Sequence, residues 1–413
     1  MKTLNSSNMK NTIYKALFFL SLTLLTTVCF FSCEEKSDNG GTPSVDYIRL
    51  TNPEKADSAI TSAFMGQLIA IIGENLSGAR KIWFNDREVT LTPTYVTDNS
   101  ILVNVSREVP LEKTDKMTIT FSSGYNLELD FVVDIPPPAP ESMKCEFLPD
   151  GDTAVIYGDY FFEPLTVTFA GNREAEIISI EKTELVVSIP AGTEPGQIVF
   201  QNIFGTVSSP FLFRDNRNTI VNFDDKPHED WTAAVISSDT SIYDPVSGNY
   251  GLIASSSASA WNWENNMAIF CWGEGVRDTE EPLAQGIVSE MDFKFEVNVQ
   301  IPWYDIRMEI YFSPYGEEHG RDNVDPSFAR WKPWADGAYT TDGWVTVTIP
   351  MSEFWFDKDD GNDMEEGTQP LESFTGLTNL NMMVFGPQET DESNTYPVQI
   401  FIDNIRIVPH DVE

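Results

Sequence analysis

The sequence predicts an all-β chain of three sandwiches, two small and one larger. Three observations carry that expectation. Helical periodicity is nearly absent after residue 43, and short apolar-alternating runs are broken by Gly, Pro, Asn or Asp about every ten residues, the pattern of sandwiches and barrels. Two segments in the first half repeat one another. Nine of the ten tryptophans fall between Trp231 and Trp355, with only Trp83 before them, so the second half is built differently. A length of 413 residues leaves room for such a division.

The first 33 residues read as an export segment. Lys2, Lys10 and Lys15 precede an apolar run from Ala16 to Phe31, too short and too punctuated to be a secure membrane span. It ends in Phe30-Phe31-Ser32-Cys33, which resembles a bacterial lipobox. That resemblance implies cleavage before Cys33 and a lipid on its sulfur, though a plain signal peptide or a single anchor helix stays open. Residues 34–43 are polar and Gly-containing and read as a flexible tether. Its acidic start, Glu34-Glu35, resembles the surface-export signal of Bacteroidota lipoproteins, implying an outer-membrane, cell-surface, lipid-anchored location.

A formal net charge of −38 argues against nucleic acid, whose phosphates are held by Lys and Arg, and against any membrane contact beyond the lipid anchor. Of four cysteines, Cys29 and Cys33 belong to the export segment. Cys145 and Cys271 then fall in different predicted domains and read as buried small hydrophobes. His228, His319 and His410 are scattered, with no HExxH and no CxxC, so a catalytic zinc site is not expected.

Residues 44–135 and 136–214 form the two repeats. The first runs Leu68–Leu76, Lys81–Asn85 and Ser100–Val105; the second runs Ala154–Phe161, Leu165–Gly171 and Glu184–Pro190. Each has a strand, a Gly turn, a large apolar residue, a second strand and a third alternating strand. The pattern resembles the IPT/TIG type of immunoglobulin-like domain, and the resemblance implies a spacer. Pro136-Pro137-Pro138 marks the boundary between them. The polar run Arg214–Asn218 marks the next, opening a jelly-roll-like β-sandwich over 215–413. There parity places Met291, Phe293, Phe295, Val297 and Val299 inward, with Glu290, Asp292, Lys294, Glu296 and Asn298 on a solvated face. Ile306, Met308, Ile310 and Phe312 also point inward, as do Val345, Val347 and Ile349.

Extending the 306–312 strand backwards puts Trp303, Asp305, Arg307, Glu309 and Tyr311 on one outward face. Rings beside planar charged hydrogen-bonders suit a sugar, whose axial C–H groups stack on an aromatic face while its hydroxyls need donors and acceptors. Ala329-Arg330-Trp331-Lys332-Pro333-Trp334 is expected to be a loop holding two rings, because Pro333 lacks a donor. Trp261 and Trp263 share one strand face, where core and platform readings both stand. Trp344 and Trp355 read as structural.

Asn222-Phe223-Asp224-Asp225, Pro333-Trp334, the run Thr341–Pro350 and Phe401-Ile402-Asp403-Asn404-Ile405 together resemble surface glycan-binding lipoproteins of Bacteroidota glycan-utilisation loci. The resemblance implies non-catalytic capture of a β-glucan such as xyloglucan or mixed-linkage glucan, with polysaccharide and an outer-membrane glycan importer complex as partners. It makes Trp303, Tyr304, Trp331 and Trp334 the ring candidates. Trp263, Arg307 and Glu309 complete the expected site. No cofactor is required. Parity groups Asp403 with inward-facing Phe401, Ile405 and Ile407, so its carboxylate needs donors or a structural Ca²⁺ shared with Asp224; hydrogen bonding to a turn is the commoner solution.

Two other classes stay open. A jelly-roll glycoside hydrolase would use clustered acids such as Glu290, Asp292 and Glu296. Residues six apart on a strand are about 20 Å apart, whereas a retaining pair needs about 5–5.5 Å. A protein-binding surface adhesin is the other, allowed by the immunoglobulin-like repeats.

Overall fold

The computed structural model describes residues 41–55, 58–226, 234–259, 267–271, 281–314, 327–333, 337–356, 369–387 and 395–412. Among these there is no α-helix; strands and a few single-turn 3₁₀ segments make up the regular structure, as the sequence predicts. The chain divides into two compact units at the Ile135–Pro136 bond, where the proline triplet begins.

The first unit holds β1 (Ser44–Leu50), β2 (Ser62–Phe64), β3 (Leu68–Glu74), β4 (Ala79–Phe84), β5 (Arg87–Thr90), β6 (Ser100–Asn104), β7 (Lys116–Phe121), β8 (Asn126–Asp130) and β9 (Val132–Asp134). The sheets β1-β3-β6 and β5-β4-β7-β8 enclose one core containing Ile69, Ile71, Ile82, Phe84, Ile101, Met117 and Ile119.

The second unit begins with an immunoglobulin-like domain of β10 (Ala139–Met143), β11 (Thr153–Asp159), β12 (Leu165–Phe169), β13 (Arg173–Glu174), β14 (Ile177–Ile180), β15 (Glu184–Ser188), β16 (Val199–Asn202) and β17 (Gly205–Ser208). Its sheets β10-β11-β15-β14 and β13-β12-β16-β17 close on Ile156, Val167, Phe169, Leu185 and Phe200. The repeat seen in the sequence is a repeat of backbone constraints. A Cβ on Gly73 would run into the Ser44 carbonyl, and one on Gly158 into the equivalent Ala139 carbonyl, so both strands need glycine where the first strand of the domain crosses. Two residues on, Asn75 (φ 58°) and Tyr160 (φ 59°) both turn left-handed, and each is followed by a buried apolar side chain, Leu76 or Phe161.

The remainder holds β18 (Thr219–Val221), β19 (Val235–Ser237), β20 (Tyr250–Ser255), β21 (Ala268–Cys271), β22 (Met291–Val299), β23 (Arg307–Ser313), β24 (Ser327–Trp331), β25 (Val345–Pro350), β26 (Trp355–Phe356), β27 (Gln369–Pro370), β28 (Asn379–Phe385) and β29 (Val398–Pro409). They form two facing sheets, β19-β20-β29-β22-β25 with β18 on β29, and β21-β28-β23-β24-β26-β27. The core between them takes the inward parity set read from the sequence: Phe293, Phe295 and Val297 from one sheet, Met308, Ile310 and Phe312 from the other. Cys145 and Cys271 are both buried.

Three local readings are corrected. Ser327–Trp331 is a strand paired with β23 and β26, because Pro333 falls two residues beyond its end and removes no ladder donor. On β29, Asn404 (φ 49°) forms a bulge: Lys294 pairs with Arg406 but Glu296 with Asp403. The extra residue resets parity, so Phe401 and Asp403 point away from the core that Ile405 and Ile407 enter.

The third correction concerns the outer face of β22. Lys294, Glu296 and Asn298 are not solvated; Glu296 and Asn298 are fully buried. The second immunoglobulin-like domain covers Lys294 and Glu296, whereas Asn298 Oδ1 accepts from Gln300 Nε2 and Thr341 Oγ1 of the sandwich itself. The Lys144 carbonyl accepts from Thr346 N (2.9 Å) and Glu146 N donates to Thr346 Oγ1 (2.7 Å), closing the edge of β25. Arg406, wholly buried, donates to Glu296 (2.7 Å) and Glu146 (2.8 Å), while Lys294 donates to Glu146 (2.7 Å). Two acids and two bases cancel, which is what lets the charges be buried. Burial pushes the Glu296 carboxyl up, and Arg406 pulls against it. Cys145, Trp344, Tyr250 and Phe401 pack beside this network as an apolar seam.

Candidate glycan-binding face

The face of the β21-β28-β23-β24 sheet opposite the core mixes rings with polar groups, and its side chains are covered: Glu309, Tyr311, Asn379, Asn381, Met383 and Phe385 are each at most 3% exposed. Alternation along β23 puts Arg307, Glu309, Tyr311 and Ser313 there; along β28 it puts Asn379, Asn381, Met383 and Phe385. β21 adds Ala268 and Phe270, and β24 adds Arg330. Ala268, Phe270, Tyr311, Met383 and Phe385 form an apolar cluster separate from the core.

The polar centre is Glu309. Its Oε1 accepts from Arg307 Nε (2.9 Å) and from Arg330 Nε (3.3 Å), placing one carboxylate between two guanidinium planes. Arg307 also donates to the Gly386 carbonyl (2.6 Å) and lies over the Phe385 ring. Tyr311 donates to Met383 Sδ (3.0 Å). Asn379 Nδ2 donates to the Pro314 carbonyl (2.8 Å), fixing an amide beside Ser313. The shared carboxylate holds both guanidinium planes in place, and of the three side chains Arg307, at 11%, is the most exposed.

The predicted site residues divide. Arg307 and Glu309 point away from the core, as parity predicts, but Glu309 is 1% exposed and not solvent-facing. Trp303 does not: it is 1% exposed and packs edge-on against Trp331 (centroids 5.0 Å apart), itself 9% exposed and in T-shaped contact with Phe295. Both rings belong to the core. Parity fails across this stretch because Asp305 takes a left-handed φ of 55°, ending the alternation before β23 begins. Tyr304 is 55% exposed. Trp261, Trp263, Trp334, Cys33 and the acidic run 357–366 lie outside the described residues. Tyr311 lies on this face as parity predicts, while Arg330, Asn379, Asn381 and Phe385 share it without having been singled out from the sequence. The alternation of Asn379-Leu380-Asn381-Met382 was their signal, and the loop reading of 329–334 hid Arg330.

The Ca²⁺ expectation does not fit the geometry. Asp403 is buried, but its carboxyl accepts from Ser247 Oγ (2.8 Å) and Asn404 N (2.7 Å), and Asp224 Oδ1 accepts from Asn249 N (2.8 Å) and Nδ2 (2.9 Å). Each Asp403 oxygen thus has a donor, so hydrogen bonding, the commoner solution, satisfies the carboxyl without the six to eight oxygens a Ca²⁺ site needs. The described residues contain no group of three or more His, Cys, Asp or Glu side chains able to hold a metal. Burial instead pushes the Asp403 carboxyl up to about 8, so it is held as the neutral acid. The clustered acids of β22 lie on the other sheet from the candidate face, with Glu296 locked to Arg406 and Asp292 bonded to His410 (3.0 Å).

Two immunoglobulin-like domains followed by a two-sheet sandwich is the described architecture. Residues 213–409 match the family model described as the surface glycan-binding protein B xyloglucan binding domain. The chain is 30% identical over 171 residues to an IPT/TIG domain-containing protein of Bacteroides ovatus. That match covers 39% of this chain and 34% of the relative, so it spans about a third of the relative's length. It is also similar to the solved structure of surface glycan-binding protein PbSGBP-B from Prevotella bryantii, at 28% identity and a TM-score of 0.65, covering 90% of this chain and 100% of that one. The resemblance to surface glycan-binding proteins with IPT/TIG domains, read first from the sequence, therefore holds.

Proposed function

We propose that the chain is a non-catalytic polysaccharide-binding protein of the cell surface, lipid-anchored through Cys33 in the outer membrane, which captures a β-glucan for a neighbouring glycan importer complex. The observation that carries this is the match of residues 213–409, folded as a two-sheet sandwich, to a xyloglucan-binding family. Xyloglucan is the first ligand to test, followed by mixed-linkage glucan. Ring contacts come from Tyr304, Trp263 and Trp334, the last two lying close to β21 and β24 in sequence. Residues 44–135 and 136–214 hold the 215–413 domain away from the membrane.

The test is native affinity electrophoresis of residues 34–413 in gels containing xyloglucan, mixed-linkage glucan or laminarin, with reducing-sugar release followed alongside. Retardation without release is expected, weakened by Arg307→Ala and Trp334→Ala. No retardation by any glycan would sink the reading in favour of a protein adhesin, and release of reducing ends would sink its non-catalytic half.

A further inference from the structure

The seam between the second immunoglobulin-like domain and the C-terminal sandwich contains a groove of about 470 Å³, within the range of ligand sites. One wall is Lys144, Asp152, Thr153 and Val155 of the immunoglobulin-like domain; the other is the loop 240–246 with Asp342 and Trp344. The walls are fixed. The buried Glu146, Glu296, Lys294 and Arg406 network joins the two domains a few residues away, so the groove is preformed rather than a hinge cleft.

Its aromatic feature is Tyr243. The ring stacks on Phe401 (centroids 5.3 Å apart, 24° between planes) and meets Trp344 edge-on (6.3 Å). Tyr243 N and Ile242 N both donate to the Asp239 carbonyl, and Trp344 Nε1 donates to the Asp244 carbonyl (2.9 Å), so the loop is pinned at both ends. A rigid, half-exposed ring is thus flanked by hydroxyls and carboxylates. Among the described lining residues Asp152, Asp244 and Asp342 outnumber Lys144, which is itself 3.7 Å from Asp342. That balance repels an anionic ligand and suits a neutral polyhydroxylated one.

We propose that this seam groove is a second glycan-binding site, specific for neutral oligosaccharide segments, with Tyr243 as its stacking ring. The inference rests on the glycan reading above and extends it. The groove adjoins the outer surface of one sheet while the candidate face is the outer surface of the other, with the core between. The two sites would therefore engage separate chains or distant stretches of one chain, making the protein bivalent and the second immunoglobulin-like domain part of the binding apparatus.

Fluorotryptophan-labelled protein, residues 34–413, titrated with xylogluco-oligosaccharide and followed by ¹⁹F NMR, tests this. Trp344 lines the groove, and its resonance is assigned by its loss in Trp344→Phe. A saturable shift of that resonance is expected. Thr153→Arg, which fills the mouth from an exposed position, should raise the midpoint at least fivefold; Tyr243→Ala should do the same. The remaining tryptophan resonances check that each variant is folded. If xyloglucan retards the protein in gels but the Trp344 resonance stays still, the groove proposal falls and the glycan reading survives. If neither occurs, both fall.

Discussion

Asp403→Asn should stabilise the C-terminal sandwich, and by an amount that grows with pH. The Asp403 carboxyl is pushed up to about 8, first by burial, then by the nearby charges of Glu296 and Asp224, against the help of Ser247 and Asn404. In the unfolded chain it titrates near 3.8. Between those values the folded state keeps a proton that the unfolded state loses. Stability is therefore full below about pH 4, falls as pH rises, and levels off above about 8. The slope is about 1.4 kcal/mol per pH unit, so the wild type loses about 3 kcal/mol between pH 5.5 and 7.5 through this one group. Asparagine keeps the shape and the acceptor for Asn404 N without a charge to suppress.

The difference between variant and wild type should thus widen by about 3 kcal/mol over that range, while other titrations cancel between the two proteins. Urea unfolding followed by tryptophan fluorescence reads it, because nine of the ten tryptophans belong to the C-terminal half. The range starts at pH 5.5 because a charge of −38 at pH 7 collapses towards zero near the carboxylate pKa values, where solubility is poorest. A pH-independent difference would refute the reasoning: Asp403 would then be ionised throughout. A wild type that is the more stable partner, gains stability with millimolar Ca²⁺ and loses it with EDTA would show a cation the geometry argues against.

Other outcomes follow from the same structure. Arg406→Met leaves Glu296 and Glu146 buried without their guanidinium and should cost about 3–5 kcal/mol in urea unfolding, whereas Lys144→Ala, at the exposed rim, should cost under about 1 kcal/mol. Trp303→Ala and Trp331→Ala should each lose about 3–5 kcal/mol of stability without a matching loss of glycan affinity at temperatures where the variants are folded, since both rings are core. Tyr304→Ala should do the reverse, lowering affinity in electrophoresis with unfolding unchanged within about 0.5 kcal/mol. Gly158→Ala should destabilise the second immunoglobulin-like domain by about 1–3 kcal/mol, because a methyl group there meets the Ala139 carbonyl.

Where a strand runs unbroken, alternation alone assigned its faces: Met291 to Val299 and Ile306 to Phe312 enter the core as read. Where one backbone angle changes sign, the same rule inverts. Asp305 at φ 55° turns Trp303 into the core, and Asn404 at φ 49° turns Phe401 out of it. Neither residue is glycine, so the letters announced the break only weakly, through the tolerance of Asp and Asn for a left-handed backbone. Tryptophan density pointed to the right domain but could not separate platform from packing: Trp303, Trp331 and Trp344 are all at most 9% exposed. The outer face of β22 misled for a different reason. Glu-Asn-Lys alternation is how a solvated strand looks, and only the fold reveals that Glu146, about 150 positions earlier, supplies the counter-charge. A polar face in sequence therefore has two structural fates, solvent or a matched polar partner, and pattern is blind to which. In this chain the second fate changes the role of a whole domain. Residues 136–214, whose repeat marks them as a spacer, close one sheet of the C-terminal sandwich with a buried, charge-balanced contact, and so determine where that sandwich can and cannot present a surface to ligand.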